Sequence, residues 1–560
     1  MYVRHLYNTS RDDHFFPRDY GVEHPPIAVI GAGMGGLSAA LALAARGQSV
    51  LVLEAADEAG GKMRQVSCGG ALIDAGPTVF TMRWVFEELF AALGASLEEW
   101  IEPQALDTLA RHSWGPGEQL DLFADRQRTA DAIAGFAGPA EGRRYLAFCA
   151  SAARTYQALE RPFLCAPRPN PLTLSARVVA AAGLPALFRI RPFSRLFRAL
   201  QGHFRDPRLQ QLFGRYATYC GSSPYLAPAT LMLVAHVEQT GVWVLPGGMQ
   251  QLAASMRALA EQRGVRFRFG EAVREIRCSR GRVSHVVTAA GEEIPCSAAI
   301  CNADPAALRA GLFGAAAKQA IPGTPPGGRS LSAITWALEA RTRGFPLLHH
   351  NVFFSSDYRR EFDDILGRGS VPAEPTVYVC AQDRDPGGRI PGGRPPEGRT
   401  PEGRTPEGRT PDGRTPGDRP ERLLCLVNAP ATGDSHPFDS EEIDACAIRT
   451  FQMLARCGLQ VTPRPEASVV TTPRDFARLF PATGGALYGM PSHGWQATFR
   501  RPGSRTRIPG LYLAGGGTHP GPGVPMAALS GRLAAQTLLQ DRTSRSLSSP
   551  AAIAGGTSMR

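Results

Sequence analysis

The contrast between apolar and polar positions is sharpest from Ile27 to Arg64. Ile27 to Ile30 is a short apolar run, a glycine-rich turn interrupts it, and a small-residue helical stretch follows. A second apolar run, Ser49 to Leu53, ends on Glu54. Short apolar runs on either side of a helix read as strands buried on both faces, so the pattern predicts strand, turn, helix, strand. Further along, Leu72-Ile73 is strand-like, and Trp84, Phe86, Leu89, Phe90 and Leu93 are spaced for one face of a helix. From about Ile101 to Val242 short strands give way to helices. Gln250 to Arg263 predicts a helix, and Val265 to Phe269 alternates as a strand. Strand character returns at Glu271 to Ile276, Val283 to Thr288, Ala298 to Cys301, Thr376 to Ala381 and Leu511 to Ala514. Val524 opens a last helix, with Pro525 in its first turn, where a missing N–H is harmless.

Composition then bounds this picture. A chain of 560 residues exceeds what one hydrophobic core usually organises, so two domains are expected. The uncharged run Ile27 to Ala45 has the hydropathy of a membrane span, but its four glycines argue for a turn and helix. Residues 1–26 read as a variable arm and residues 541–560 as a flexible tail. The eleven cysteines are scattered without a C-x-x-C pair, which suggests neither disulfides nor zinc and favours a reducing compartment. Pro396 to Thr415 is four tandem five-residue units, three PEGRT and one PDGRT; residues 386–422 therefore read as a disordered surface insertion with nothing apolar to bury.

The net charge of +11 is concentrated: Arg161 to Arg215 holds ten arginines against one acid, Asp206. Within it, Leu184 to Phe204 interleaves Leu, Phe and Ile with arginine at near-helical spacing, a pattern that suits an anionic bilayer surface and equally an ordinary helix with its arginines in water. No nucleic-acid module accompanies it. His112, His203 and His236 read as structural histidines, and His349-His350 lacks a third metal ligand at suitable spacing.

The chemistry concentrates at the two ends of the chain. Gly31, Gly33 and Gly36 form G-x-G-x-x-G: the first allows the turn, the second lets a pyrophosphate approach, and the third lets helix and strand pack. Glu54, 18 residues after Gly36, is placed for a ribose hydroxyl. Gly60-Gly61-Lys62-Met63-Arg64 adds a second glycine turn with cations. Near the C-terminus, Gly515 to Gly523 forms a glycine loop before the Val524 helix, whose N-terminal dipole would favour negative charge on a bound group.

These motifs resemble the carotenoid and phytoene desaturase family of the FAD-dependent amine oxidase superfamily. The resemblance rests on Gly60-Gly61 with its basic neighbours, on Asp74-Ala75-Gly76-Pro77-Thr78, on the run from Val242 to Asp304, on His349 to Ser355, and on G-G-G-T-H-P-G-P-G-V-P-M-A-A-L-S-G-R. Pro525 and Met526 look most like the 1-hydroxycarotenoid 3,4-desaturase branch. The resemblance implies an α/β fold: a discontinuous Rossmann-type FAD-binding domain (27–105, 243–305 and 480–540) with an inserted α+β substrate and membrane-facing domain (106–242 and 306–479). It implies FAD held by Gly31, Gly33, Gly36, Glu54, Gly61, Lys62, Arg64, Gly76, Pro77, Thr78, Val273, Gly515, Gly516, Val524, Pro525 and Met526. It further implies an acyclic hydroxylated or methoxylated carotenoid substrate of a spheroidene- or spirilloxanthin-type pathway, and a quinone or other electron acceptor. The expected location is the inner face of a bacterial photosynthetic membrane, with Leu184 to Phe204 as the docking segment. In the reaction a hydride passes to the flavin and a second, allylic hydrogen leaves as a proton. His519 is the titratable residue expected nearest the flavin, with a structural role equally open. A phytoene-type desaturase, a carotenoid isomerase, an amine oxidase and a non-catalytic flavoprotein scaffold remain alternatives.

Overall fold

The computed structural model describes residues 25–190, 193–322, 328–385, 387 and 420–548. Most of the 1–26 arm and nearly all of the 386–422 insertion lie outside them. The insertion's last residues do not: Glu421 and Arg422 begin the strand Glu421–Ala429. The tail expected from residue 541 also differs, because the last helix continues to Ser548.

The apolar runs of the two chain ends meet in one five-stranded sheet. Its order is Leu511–Leu513, Ala298–Cys301, Ile27–Ile30, Val50–Leu53 and Arg266–Arg268, all parallel. Ile27 to Ile30 and Val50 to Leu53 are buried at every position, as strands covered on both faces must be. The helix Met34–Ala44 covers one face and is itself buried along most of its length. Against it lies the helix Val524–Ser548, and the approach is so close that a Cβ on Gly531 would stand 2.2 Å from the Gly35 carbonyl oxygen. The fingerprint and the C-terminal motif, almost five hundred residues apart in sequence, are thus packed side by side.

Val273–Ser279, which begins at an expected FAD contact, belongs to a separate three-stranded antiparallel sheet; Arg266–Arg268 is the strand that joins the parallel one. Val273 stands where that antiparallel strand begins.

A second, seven-stranded sheet is built from residues between 108 and 471. Its strands His350–Phe353, Val377–Ala381 and Glu421–Ala429 are antiparallel neighbours, so residues 382–420 connect two adjacent strands. Helices between Arg126 and Gln239 pack across it around Phe148, Phe204 and Phe213, whose rings lie 4.8 to 5.2 Å apart. No helix among the described residues is long and apolar enough to cross a membrane.

Candidate functional site

A cavity of about 820 Å³ runs from the C-terminal edge of the parallel sheet towards the seven-stranded sheet. That edge is where α/β sheets bind ligands, because the loops there diverge. Gly31, Gly33, Glu54, Gly61, Lys62, Arg64, Gly76, Pro77, Thr78, Val273, Gly515, Gly516, Val524, Pro525 and Met526 all line it. Gly36 does not line it, and its role is packing: a Cβ there would sit 2.0 Å from the Gly31 carbonyl oxygen. Gly31 itself has φ +96°, a conformation glycine adopts without strain.

The helix Met34–Ala44 begins at Gly33 with no side chain accepting its first N–H groups. Other helices of the chain are capped by Asp125, Asn170, Asp206, Asp304 or Thr472. An uncapped, glycine-lined helix start opening into a cavity is a ready anion site. Glu54 stands beside it, one carboxylate oxygen accepting the Ala32 N–H at 2.5 Å and the other the Ala56 N–H at 3.0 Å. Gly76 passes so close to the second glycine turn that a Cβ would meet the Lys62 carbonyl oxygen at 1.9 Å. This set of groups fits a dinucleotide: open N–H groups for phosphate, a fixed carboxylate for ribose, and glycine walls where a side chain would intrude.

Several residues that hold this cradle were not visible as such in the sequence. Asn302, at the end of the strand Ala298–Cys301, packs between both glycine motifs: a Cβ on Gly33, Gly35 or Gly515 would come within 2.5 to 2.7 Å of its amide. Its position at the tip of a central parallel strand was the available signal. Buried Arg501 donates to the carbonyls of Gly516 at 2.9 Å and Met490 at 2.6 Å, which pins the C-terminal loop; nothing in its sequence neighbourhood marks it. Lys62 donates to the Leu487 carbonyl at 2.6 Å, and burial lowers its pKa. Arg64 donates to Thr471 Oγ1 at 3.0 Å.

His519 is placed differently from the catalytic expectation. It does not line the cavity. Its Nε2–H points between the carbonyls of Phe163 and Ala166, each at 2.9 Å, and burial lowers its pKa to about 4. A neutral imidazole held by two carbonyls ties the C-terminal loop to residues 163–166 and is occupied as a structural group.

The adjacent histidines, in contrast, gain a third group. Cys380 lies opposite His350 in the strand register, and the donor atoms of His349, His350 and Cys380 all fall within 4.8 Å of one another. Only strand pairing reveals this, since thirty residues of sequence intervene. His349 Nδ1 meets the Arg384 carbonyl at 3.2 Å and its Nε2 meets Cys380 Sγ at 3.6 Å. Burial pushes the thiol up to about 12 and holds both imidazoles neutral. All eleven cysteines are unpaired.

Away from the glycine walls the cavity is mostly apolar, lined by residues such as Leu159, Phe163, Leu174, Ile190, Leu424 and Leu426. The segment Leu184 to Phe204 is not one amphipathic helix: Leu184–Arg189 and Leu196–His203 are separate, and Leu196, Ala199, Leu200 and Phe204 face the core. Exposed apolar surface lies at Leu172 (83% exposed) before the segment and at Leu184 and Phe193 (76%) within it, with Trp495 5.4 Å from the Phe193 ring.

Comparison with known proteins agrees with this geometry. Residues 34–539 match the family described as flavin containing amine oxidoreductase. The chain is 51% identical to the hydroxyneurosporene desaturase of Rubrivivax gelatinosus, over 95% of this chain and 97% of that one. It is 44% identical to the hydroxyneurosporene desaturase of Rhodobacter capsulatus, over 92% of this chain and 98% of that one. A phytoene desaturase of Fusarium fujikuroi stands further off at 27%, over 92% of this chain and 89% of its own length. Among solved structures, putrescine oxidase bound to putrescine superposes with a TM-score of 0.54 at 15% identity, over 93% of this chain and 99% of that one; this likeness concerns the fold alone.

Proposed function

The chain belongs to the flavin-containing amine oxidoreductase family, and from that premise we propose that it is an FAD-dependent desaturase that introduces the 3,4 double bond into an acyclic 1-hydroxy- or 1-methoxy-carotenoid. The observation that carries the reading is the identity of 51% and 44% to hydroxyneurosporene desaturases along nearly the whole chain, against 27% to a phytoene desaturase.

FAD bound in the cradle supplies the hydride acceptor. Gly31, Gly33 and the open N–H groups of the Met34 helix would hold its pyrophosphate, Glu54 its ribose, and Val273 its adenosine side. Gly76, Pro77, Thr78, Gly515, Gly516, Val524, Pro525 and Met526 would flank its ring system. The helix beginning at Val524 directs its positive end at that place and so favours negative charge there. The leucine- and phenylalanine-lined walls keep water from the reacting carbons and align a long apolar chain, which is most of what a protein contributes to this chemistry.

The substrate reaches the site from a bilayer, entering beside Leu172, Leu184, Phe193 and Trp495. Leu174, Ile190 and Trp495 connect that exposed apolar patch to the cavity wall. Exposed Arg195 and Arg198 flank it and suit an anionic surface. The electrons then pass to a quinone or comparable acceptor on the inner face of the membrane.

The test of the central reading is product analysis. FAD-loaded protein in liposomes is supplied with hydroxyneurosporene and a quinone. The expected product is lighter by two hydrogens, with one more conjugated double bond. Turnover of phytoene instead would move the chain to the phytoene-type branch.

A further inference from the structure

Beyond the flavin-flanking turn the mostly apolar cavity carries a polar cluster that includes Arg215, Tyr219 and Glu238. There Arg215, inside the molecule, forms no ion pair among the described residues. Its one hydrogen bond there is a long one, from Nη1 to Tyr219 Oη at 3.4 Å. The guanidinium instead lies over the rings of Tyr219 and Tyr378, 5.3 and 5.5 Å from their centroids. Tyr358 also lines the cavity and has its hydroxyl buried without a partner.

Both features are costly as they stand. A guanidinium lining a cavity presents five N–H donors, and cation–π contact satisfies none of them. A buried hydroxyl without a partner costs free energy of its own. Groups of this kind in a mostly apolar cavity call for an oxygen acceptor carried by the ligand.

The place of the cluster says which part of the ligand that is. Tyr378 Oη is 2.7 Å from Thr78 Oγ1, so the cluster adjoins the turn that would flank the flavin ring. In a 1-hydroxycarotenoid undergoing 3,4-desaturation, only a few bonds separate the oxygen from the reacting carbons. A subsite for that oxygen therefore has to lie next to the flavin turn and not at the far end of the channel. On that reading of the reaction, we propose that Arg215, assisted by Tyr219 and Tyr358, hydrogen-bonds the oxygen of the substrate's oxidised terminus and selects a tertiary alcohol or methyl ether over a plain hydrocarbon end. The polyene extends back along the apolar walls. A hydrocarbon terminus leaves the guanidinium unpaired, which is how a site built for a hydroxyl rejects its deoxy analogue.

The experiment measures kcat/KM for hydroxyneurosporene and for neurosporene, its counterpart without the hydroxyl, with full-length FAD-loaded protein in phosphatidylcholine liposomes and a quinone as electron acceptor. Wild type, Arg215→Leu, Arg215→Lys and Tyr358→Phe are compared, with flavin bound per chain measured in each. The expected wild-type preference for the hydroxylated substrate is about 100-fold or more. Arg215→Leu is expected to lose most of it through a fall on the hydroxylated substrate, with flavin still bound, and Arg215→Lys to recover part of it. Tyr358→Phe is expected to lose about fivefold. A wild-type preference that survives in flavin-replete Arg215→Leu overturns the subsite. Should Arg215→Leu fail to hold flavin, an undiminished preference in Tyr358→Phe overturns it instead. Equal turnover of both substrates by wild type removes the subsite but keeps the desaturase; turnover of neither removes the desaturase reading itself.

Discussion

His519 lies in a recognisable motif, and its contacts are those of a group that holds the loop. Its Nε2–H serves two carbonyls and its ring meets Phe163 edge-on at 4.7 Å. His519→Gln, which keeps one donor, should therefore leave kcat per bound flavin within about threefold while lowering stability by about 1 to 2 kcal/mol. A loss of a thousandfold in kcat with flavin retained would return the residue to catalysis. The same burial predicts a pH dependence. His519 in the folded chain titrates near 4, below its ordinary 6.5, so the unfolded chain binds the proton first. Its contribution to stability is complete above pH 6.5 and is lost as pH falls towards 4, at up to about 1.4 kcal/mol per pH unit. His493, lowered by burial to about 4, acts in the same direction. Thermal melts between pH 7 and 4 should show this slope, and His519→Gln should make it shallower. Among the glycines, Gly36→Ala is expected to cost flavin binding more than tenfold, because its methyl would meet the Gly31 carbonyl within the turn that faces the pyrophosphate. Fluorescence titration with FAD checks this, and unchanged affinity would contradict the packing role.

Elements differ in how plainly the sequence declares them, and the reason is physical. Ile27 to Ile30, Val50 to Leu53 and Ala298 to Cys301 are fully buried strands, so their sequences are uninterrupted apolar runs that declare themselves. The glycine turns declare themselves because few other residues tolerate such close backbone approach. Leu184 to Phe204 is less legible, since its apolar residues divide between a core-facing helix and an exposed patch, a split that periodicity along one helix axis cannot register. Arg215, Asn302 and Arg501 were hidden for a different reason. Each acts through neighbours brought in from distant parts of the chain, and a polar residue alone in sequence carries no mark of what it will face. The repeat insertion is an element-scale prediction. It connects strands that pair directly, Ala381 opposite Leu423, so a short loop can replace it without moving either strand. Exchanging residues 386–419 for a short Gly-Ser loop should leave flavin content and kcat/KM within about twofold. Loss of flavin would mean that the repeats support the cradle.

At the scale of the whole molecule, the two ends of the chain, joined by the strand that leads into Asn302, build one cradle, and segments between them build the walls in front of it. On the proposed reading, the cradle would fix where electrons go, and the walls which carbon is presented. On the proposed reading, the apolar patch at Leu172, Leu184 and Phe193 is the route by which a membrane-dissolved substrate would enter. Leu172→Glu with Phe193→Glu should weaken sedimentation with anionic liposomes about tenfold, while water-soluble reductants still bleach the flavin at the wild-type rate. Unaltered liposome binding would remove the patch from the account. The central claim, that the chain takes two hydrogens from a hydroxylated polyene, is met most directly by anaerobic incubation of the FAD-loaded protein in liposomes with hydroxyneurosporene. Flavin absorbance and polyene bands are followed together. The account predicts flavin bleaching matched by a red shift of the polyene, one new double bond for each flavin reduced. A flavin that stays oxidised beside an unchanged polyene would contradict it.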